Sequence, residues 1–74
     1  MPGKKKNKEF TIGQMVKFYV IRFRKWYEGK VEKREEREGL VMYDVRVTKA
    51  PANKWGINEV GNLWLVENNL MEAL

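Results

Sequence analysis

A small antiparallel β-barrel is the fold class that this 74-residue chain predicts, and three observations predict it. The segment KWYEGKVEKREEREGLVMYDVRV, residues 25–47, holds two alternating strand patterns facing each other across a short charged turn. Gly29 interrupts the first of them in mid-strand, where a small barrel bulges or bends. The chain has no cysteine and no histidine. Disulfides and thiolate or imidazole metal sites are therefore closed to it, and an apolar core must hold it together.

Each element follows from its local pattern. Residues 1–8, MPGKKKNK, offer no apolar anchor against the entropy of ordering. They predict a disordered basic tail over residues 1–9, with the folded domain over 10–74. A β-rich run follows Gly13. Val16, Phe18 and Val20 share one face of it, and Tyr19, Ile21 and Phe23 the other. Apolar groups on both faces predict a strand buried on both sides, or one that bends and changes face. Arg22, Phe23, Arg24 and Lys25 form a cationic stretch at a loop or strand end.

Residues 26–35 read as the second strand. Tyr27, Gly29 and Val31 alternate with Trp26, Glu28, Lys30, Glu32 and Arg34, the pattern of a half-solvated strand. A helix over residues 28–38 is the competing reading, because Glu, Lys and Arg are good helix formers; the segment lacks an apolar stripe at helical spacing. Residues 35–39 are placed in the turn. Residues 40–48 show the cleanest alternation, with Val41, Tyr43, Val45 and Val47 on one face and Met42, Asp44 and Arg46 on the other. Pro, Asn and Gly make residues 49–56 a loop, in which Trp55 has few apolar neighbours. Residues 62–67 form a further strand, and Asn68 or Asn69 can start a single helical turn that brings Leu70 to the barrel end as a plug.

Net charge is +5, and its distribution says more than its sum. Residues 10–27 carry Lys17, Arg22, Arg24 and Lys25 and no acid, whereas residues 55–74 carry only Glu59, Glu67 and Glu72 as charges. Such asymmetry predicts an electrostatic partner near the early part of the fold, although a charge of this size also serves plain solubility. No apolar run approaches the length of a membrane span, and no hydrophobic stretch follows the basic start as a signal peptide requires. The expectation is a cytoplasmic protein without membrane association.

The motifs Phe10-x-Ile12-Gly13-Gln14-x-Val16, Trp26-Tyr27-x-Gly29-x-Val31, Tyr43-Asp44-Val45-x-Val47 and Leu63-Trp64-Leu65-Val66-Glu67-x-Asn69-Leu70 stand in order along residues 10–74. Taken together the chain resembles SH3-like β-barrels of the Tudor-like and plasmid type II dihydrofolate reductase-like sort. The resemblance implies an all-β, five-stranded SH3-like antiparallel barrel with a short C-terminal helical turn. Small proteins of this fold and size also occur as accessory products of phages and mobile elements. The reductases line a pore with Gln-Ile-Tyr; the corresponding place here is Trp64-Leu65-Val66, so that activity is not carried over. Tudor-type domains hold methylated side chains in an aromatic cage, for which Trp26, Tyr27, Tyr43, Trp55 and Trp64 are the available walls, with core packing as their commoner use.

Catalysis is not expected. Without His or Cys, acid–base work falls to carboxylates, Tyr or Lys, and the glutamates of residues 28–38 alternate with bases as in a solvated, ion-paired surface. No phosphate-binding glycine loop is present, and no cofactor or metal is expected. The first functional expectation is nucleic-acid binding, DNA or RNA. Lys4, Lys5, Lys6 and Lys8 on the tail and Lys17, Arg22, Arg24 and Lys25 on the domain would contact phosphates, and Phe23, Trp26 or Tyr27 would stack on bases. The second is a protein-interaction module, an adaptor or inhibitor docking on an acidic protein surface, with Trp55 and Trp64 as exposed anchors and self-association included.

Overall fold

The computed structural model describes residues 8–52 and 55–74. Lys4, Lys5 and Lys6, and the greater part of the expected tail, lie outside the described residues. The rest is one antiparallel sheet of five strands: β1 (Met15–Val20), β2 (Lys25–Arg37), β3 (Leu40–Lys49), β4 (Leu63–Glu67) and β5 (Met71–Ala73). A single 3-10 turn, Asn68–Leu70, separates the last two. The strand order across the sheet is β4-β3-β2-β1-β5. Consecutive strands are therefore neighbours up to β4, and the short 3-10 turn then carries the chain from one edge of the sheet to the other. Three residues can bridge two edges only if the sheet curls through most of a barrel, since they reach at most roughly 10 Å. No hydrogen-bonded ladder joins β4 to β5, so the barrel is not closed.

Alternation sends one side chain in two to the inside. Val16, Phe18 and Val20 of β1, Tyr27 and Val31 of β2, and Val41, Tyr43, Val45 and Val47 of β3 are all buried. Val66 and Met71 complete the core. Each fully buried Val, Met or Phe side chain contributes about 1.5–3 kcal/mol relative to exposure. β1 does not have two buried faces. Tyr19 is half-buried and Ile21, beyond the strand end, is 65% exposed, whereas Phe23, past the turn, packs against the core.

Gly29 is where the sheet bends. The β2–β3 register shifts between Glu28 and Gly29 and again between Val31 and Lys33. A Cβ on Gly29 would collide with the Arg46 carbonyl oxygen and lie 2.6 Å from Val45 Cγ1. Only glycine lets β3 approach this closely.

The β2–β3 hairpin runs further than its sequence pattern predicts. β2 continues to Arg37, which pairs with Leu40, and the connection is Glu38-Gly39 alone. Both residues have positive φ (50° and 82°), as in the type I′ turn that matches the twist of a hairpin. Residues 35–37 are therefore strand. They read as turn in sequence because their charged side chains resemble a loop, although their backbone pairs with β3.

The C-terminal plug also differs in its residues. Met71 and Asn68 are completely buried, while Leu70 is half-buried against the core. The Asn68 amide donates to the Val41 carbonyl at 2.7 Å and its oxygen accepts the Lys8 backbone N–H at 2.8 Å. It thus continues the edge of β3 where β4 stops, and no buried side-chain polar atom is left unpaired among the described residues. The start of the domain is tied down as well. Lys8 Nζ donates to the Met71 carbonyl at 3.0 Å, and the Phe10 N–H donates to the Tyr43 hydroxyl at 3.0 Å.

Candidate functional site

The expected cations separate into two groups. Lys8 and Lys17 are engaged within the fold, and Lys25 is held more loosely by the Ala52 carbonyl at 3.4 Å. Lys8 holds the Met71 carbonyl, and Lys17 lies 3.7 Å from the Glu72 carboxylate and 4.9 Å over the Trp26 ring. Arg22, Arg24 and Lys25 come together at the β1–β2 connection, residues 21–24, with Lys25 opening β2. All three are exposed, and among the described residues none pairs with a carboxylate.

Backbone bonds fix this turn. The Val20 carbonyl accepts the N–H groups of Phe23 (3.1 Å) and Arg24 (2.7 Å), and the Ile21 carbonyl accepts Arg24 N–H at 3.2 Å. Arg24 closes the turn at φ 55°, a left-handed conformation that costs a non-glycine residue roughly 1–2 kcal/mol. Arg24, like Glu38 in the β2–β3 turn, occupies a backbone conformation that favours glycine.

Aromatic groups border the turn. Phe23 is half-buried and packs on the core, with its ring centroid 6.2 Å from that of Trp55. Trp55 is 62% exposed. Lys25 Nζ reaches the Ala52 carbonyl at 3.4 Å, so the turn is tied twice to the loop that follows β3. On the outer face Trp26, 43% exposed, lies edge-on to Tyr19 at 5.3 Å. A cleft of about 240 Å³ lies between Trp26, Glu28, Lys49, Ala50 and Pro51. One end of the molecule therefore carries uncompensated positive charge among partly exposed rings.

Two of the expected aromatic contacts are not available there. Tyr27 faces the core, where burial and then the nearby Glu59 carboxylate push its phenol above the ordinary tyrosine value. Period-two alternation requires this, because Tyr27 follows outward-facing Trp26. Trp64 is half-buried, with its ring 5.6 Å from Tyr27 and 6.0 Å from Phe18. Tyr43 is also core. Of the five rings expected to wall an aromatic cage, Tyr27 and Tyr43 are core and Trp64 packs against it, whereas Trp26 and Trp55 are exposed. Among the described residues no group of three acidic side chains could share a metal ion.

Two features were not foreseen. The residues 49–57 loop meets Phe23 through Trp55, a contact between positions far apart in the chain. The second is a groove of about 310 Å³ between the far end of β1 and the outer edge of β4, lined by Tyr19, Ile21, Arg22, Trp64, Leu65 and Leu70 among others. It is the opening left by the unclosed barrel. No family model, curated protein or solved structure matches this chain. No helix among the described residues is long and apolar enough to cross a membrane.

Proposed function

We propose that the protein is a non-enzymatic binding module of SH3-like architecture that takes nucleic acid on the β1–β2 turn. The observation that carries this reading is the exposed trio Arg22, Arg24 and Lys25, without a carboxylate partner among the described residues. Solubility alone does not account for Arg24, which is held in a left-handed conformation that glycine would adopt without strain. Guanidinium groups bind phosphate oxygens through two parallel hydrogen bonds, which a lysine cannot do. Contacts of this kind give affinity and orientation without sequence preference. Lys4, Lys5 and Lys6 add cations close to the domain in sequence.

The test is a fluorescence titration with short labelled oligonucleotides at low and moderate salt. Counterion release makes affinity fall steeply as salt rises. Binding at about 50 mM salt that weakens at least tenfold by about 200 mM supports the reading. No binding at low salt removes it.

A second reading has its own observation. β4 is an edge strand paired only with β3, and its Leu63 and Leu65 are each 46% exposed. An apolar, unpaired edge is a template for strand addition, so a protein-interaction module using this edge is the alternative. Capture from a cell extract separates the two: loss on nuclease treatment favours nucleic acid, and nuclease-resistant capture of one protein that Leu65→Lys abolishes favours the edge.

A further inference from the structure

We infer that the nucleic acid taken by this surface is single-stranded, held by stacking of unpaired bases on Trp55 and Trp26. The inference rests on the reading above and goes beyond it, because arginines on phosphates serve a duplex and a single strand alike, whereas rings do not. In a duplex the base faces are covered by their neighbours in the stack. A surface ring can use them only where the strand is already open.

The cationic end carries two partly exposed rings, Trp55 and Trp26, and Lys17 covers one face of the second. Trp55 projects from the loop after β3 with most of its area in solvent. Phe23, packed on the core, supports it from 6.2 Å with the ring planes inclined at 56°. Trp26 is held edge-on by Tyr19, and Lys17 lies 4.9 Å over its ring. The neighbouring cleft of about 240 Å³ has Trp26 as one wall and Lys49 at its rim. It is smaller than the roughly 300–1,000 Å³ of sites that enclose a drug-sized ligand, which suits one planar ring rather than a whole small molecule. Arg22 and Arg24 flank Phe23 in the turn, and Lys25 stands between the turn and the 50–52 segment through its bond to Ala52. Cations therefore alternate with rings along the sequence Arg22-Phe23-Arg24-Lys25-Trp26. That order suits a single strand laid across the surface, with its phosphates on the cations and its bases turned onto the rings.

Core demand does not explain these two tryptophans. The buried core cluster includes neither of them, and Trp55 is the more exposed of the two. An acidic protein surface would also meet the cations, yet it would not discriminate between nucleic-acid strands, so strandedness is the informative measurement.

The experiment is an anisotropy titration of the full chain at low salt. The probes are a labelled 12-nucleotide DNA single strand, its RNA equivalent and the duplex of the same DNA sequence. Wild type, Trp55→Ala and Trp55→Phe are compared, with far-UV circular dichroism confirming that each variant is folded. Single strands of either sugar should bind at least tenfold more tightly than the duplex. Trp55→Ala should weaken single-strand binding about tenfold, the scale of one lost base–ring stack, while leaving duplex binding within twofold. Trp55→Phe should restore most of the loss. Equal affinity for single strand and duplex overturns the inference while leaving nucleic-acid binding standing, as does a Trp55→Ala effect equal on both probes. Tighter binding of one single strand than of the other, with both above the duplex, supports the same inference and assigns the sugar. Binding to no probe removes the underlying reading along with it.

Discussion

Two hairpins share β2, and both carry basic residues, yet their charge is handled in opposite ways. At the β2–β3 hairpin every arginine has a carboxylate. Arg46 meets both oxygens of Glu32 at 3.0 Å, Arg37 meets Glu35 at 3.0 Å, and Arg34 lies between Glu36 at 3.5 Å and Glu9 at 3.6 Å. The Glu32 carboxyl is held below the ordinary glutamate range, chiefly by its hydrogen bond to Arg46. At the β1–β2 turn Arg22, Arg24 and Lys25 have no such partner among the described residues. A count of bases in the sequence treats the two hairpins alike; the cross-strand register separates them. The long hairpin is a rib whose arginines are paired across and along its strands, with Lys30, Lys33 and Lys49 outside those pairs, and its charged ladder also discourages edge pairing. At the turn the positive charge has no carboxylate against it among the described residues.

The comparison is broken most severely at the glycine between the two ends. Gly29→Val should drive a side chain into the Arg46 carbonyl and the Val45 side chain. Overpacking of this kind costs about 1–3 kcal/mol or more. Thermal melting of a domain this size should shift down by at least roughly 4–8 °C, and both hairpins should lose hydrogen-exchange protection together. An unchanged melting temperature would mean that β2 and β3 do not approach as described.

Charge reversal sharpens the contrast. Arg22→Glu with Arg24→Glu should reduce oligonucleotide binding at low salt by more than about tenfold, because two phosphate contacts become repulsions. Arg34→Glu with Arg37→Glu removes the same charge from the other hairpin and should change binding less than about threefold. Equal losses in titrations of the two double variants would show that only net charge matters.

Arg24→Gly separates fold from binding at a single position. The positive φ is relaxed by glycine, so stability should hold or rise by up to about 1 kcal/mol, while binding weakens by a few-fold. A drop in melting temperature would mean that the Arg24 side chain holds the turn together.

The smallest effect lies in the acid limb of stability. The lowered Glu32 value means that its contribution is fully present above the ordinary glutamate pKa of 4.5 and is lost as pH falls through the depressed folded value. Glu32→Gln should therefore lower the melting temperature slightly in the neutral region and converge with wild type below the depressed value, so that the decline in acid is flatter. The pair is solvent-exposed, so the difference is slight.

Much of the fold was legible because alternation is a strong signal where one face is buried. Val41, Tyr43, Val45 and Val47 are core as their spacing predicts, and Gly29 marks the bend. Where charge replaced apolar residues the signal failed, so residues 35–37 read as turn although their backbone is paired. β5 is three residues long and follows a turn, too short to show a period. The candidate site was legible in its cations and not in its rings. Arg22, Arg24 and Lys25 sit at the predicted break between strands. Tyr27 was included although its own alternation with Trp26 sends it inward. The contact of Trp55 with Phe23 depends on how two distant loops meet, which local pattern does not encode.

The central claim is that the uncompensated cations of one turn contact phosphates, and the slope of log affinity against log salt tests it most directly. Each lost contact to a single strand removes roughly 0.7 from that slope. Replacing both Arg22 and Arg24 with Gln should therefore lower its magnitude by about 1.4 relative to wild type, with the same change at Arg34 and Arg37 leaving it in place. An identical slope for wild type and the Arg22→Gln, Arg24→Gln protein would contradict the account.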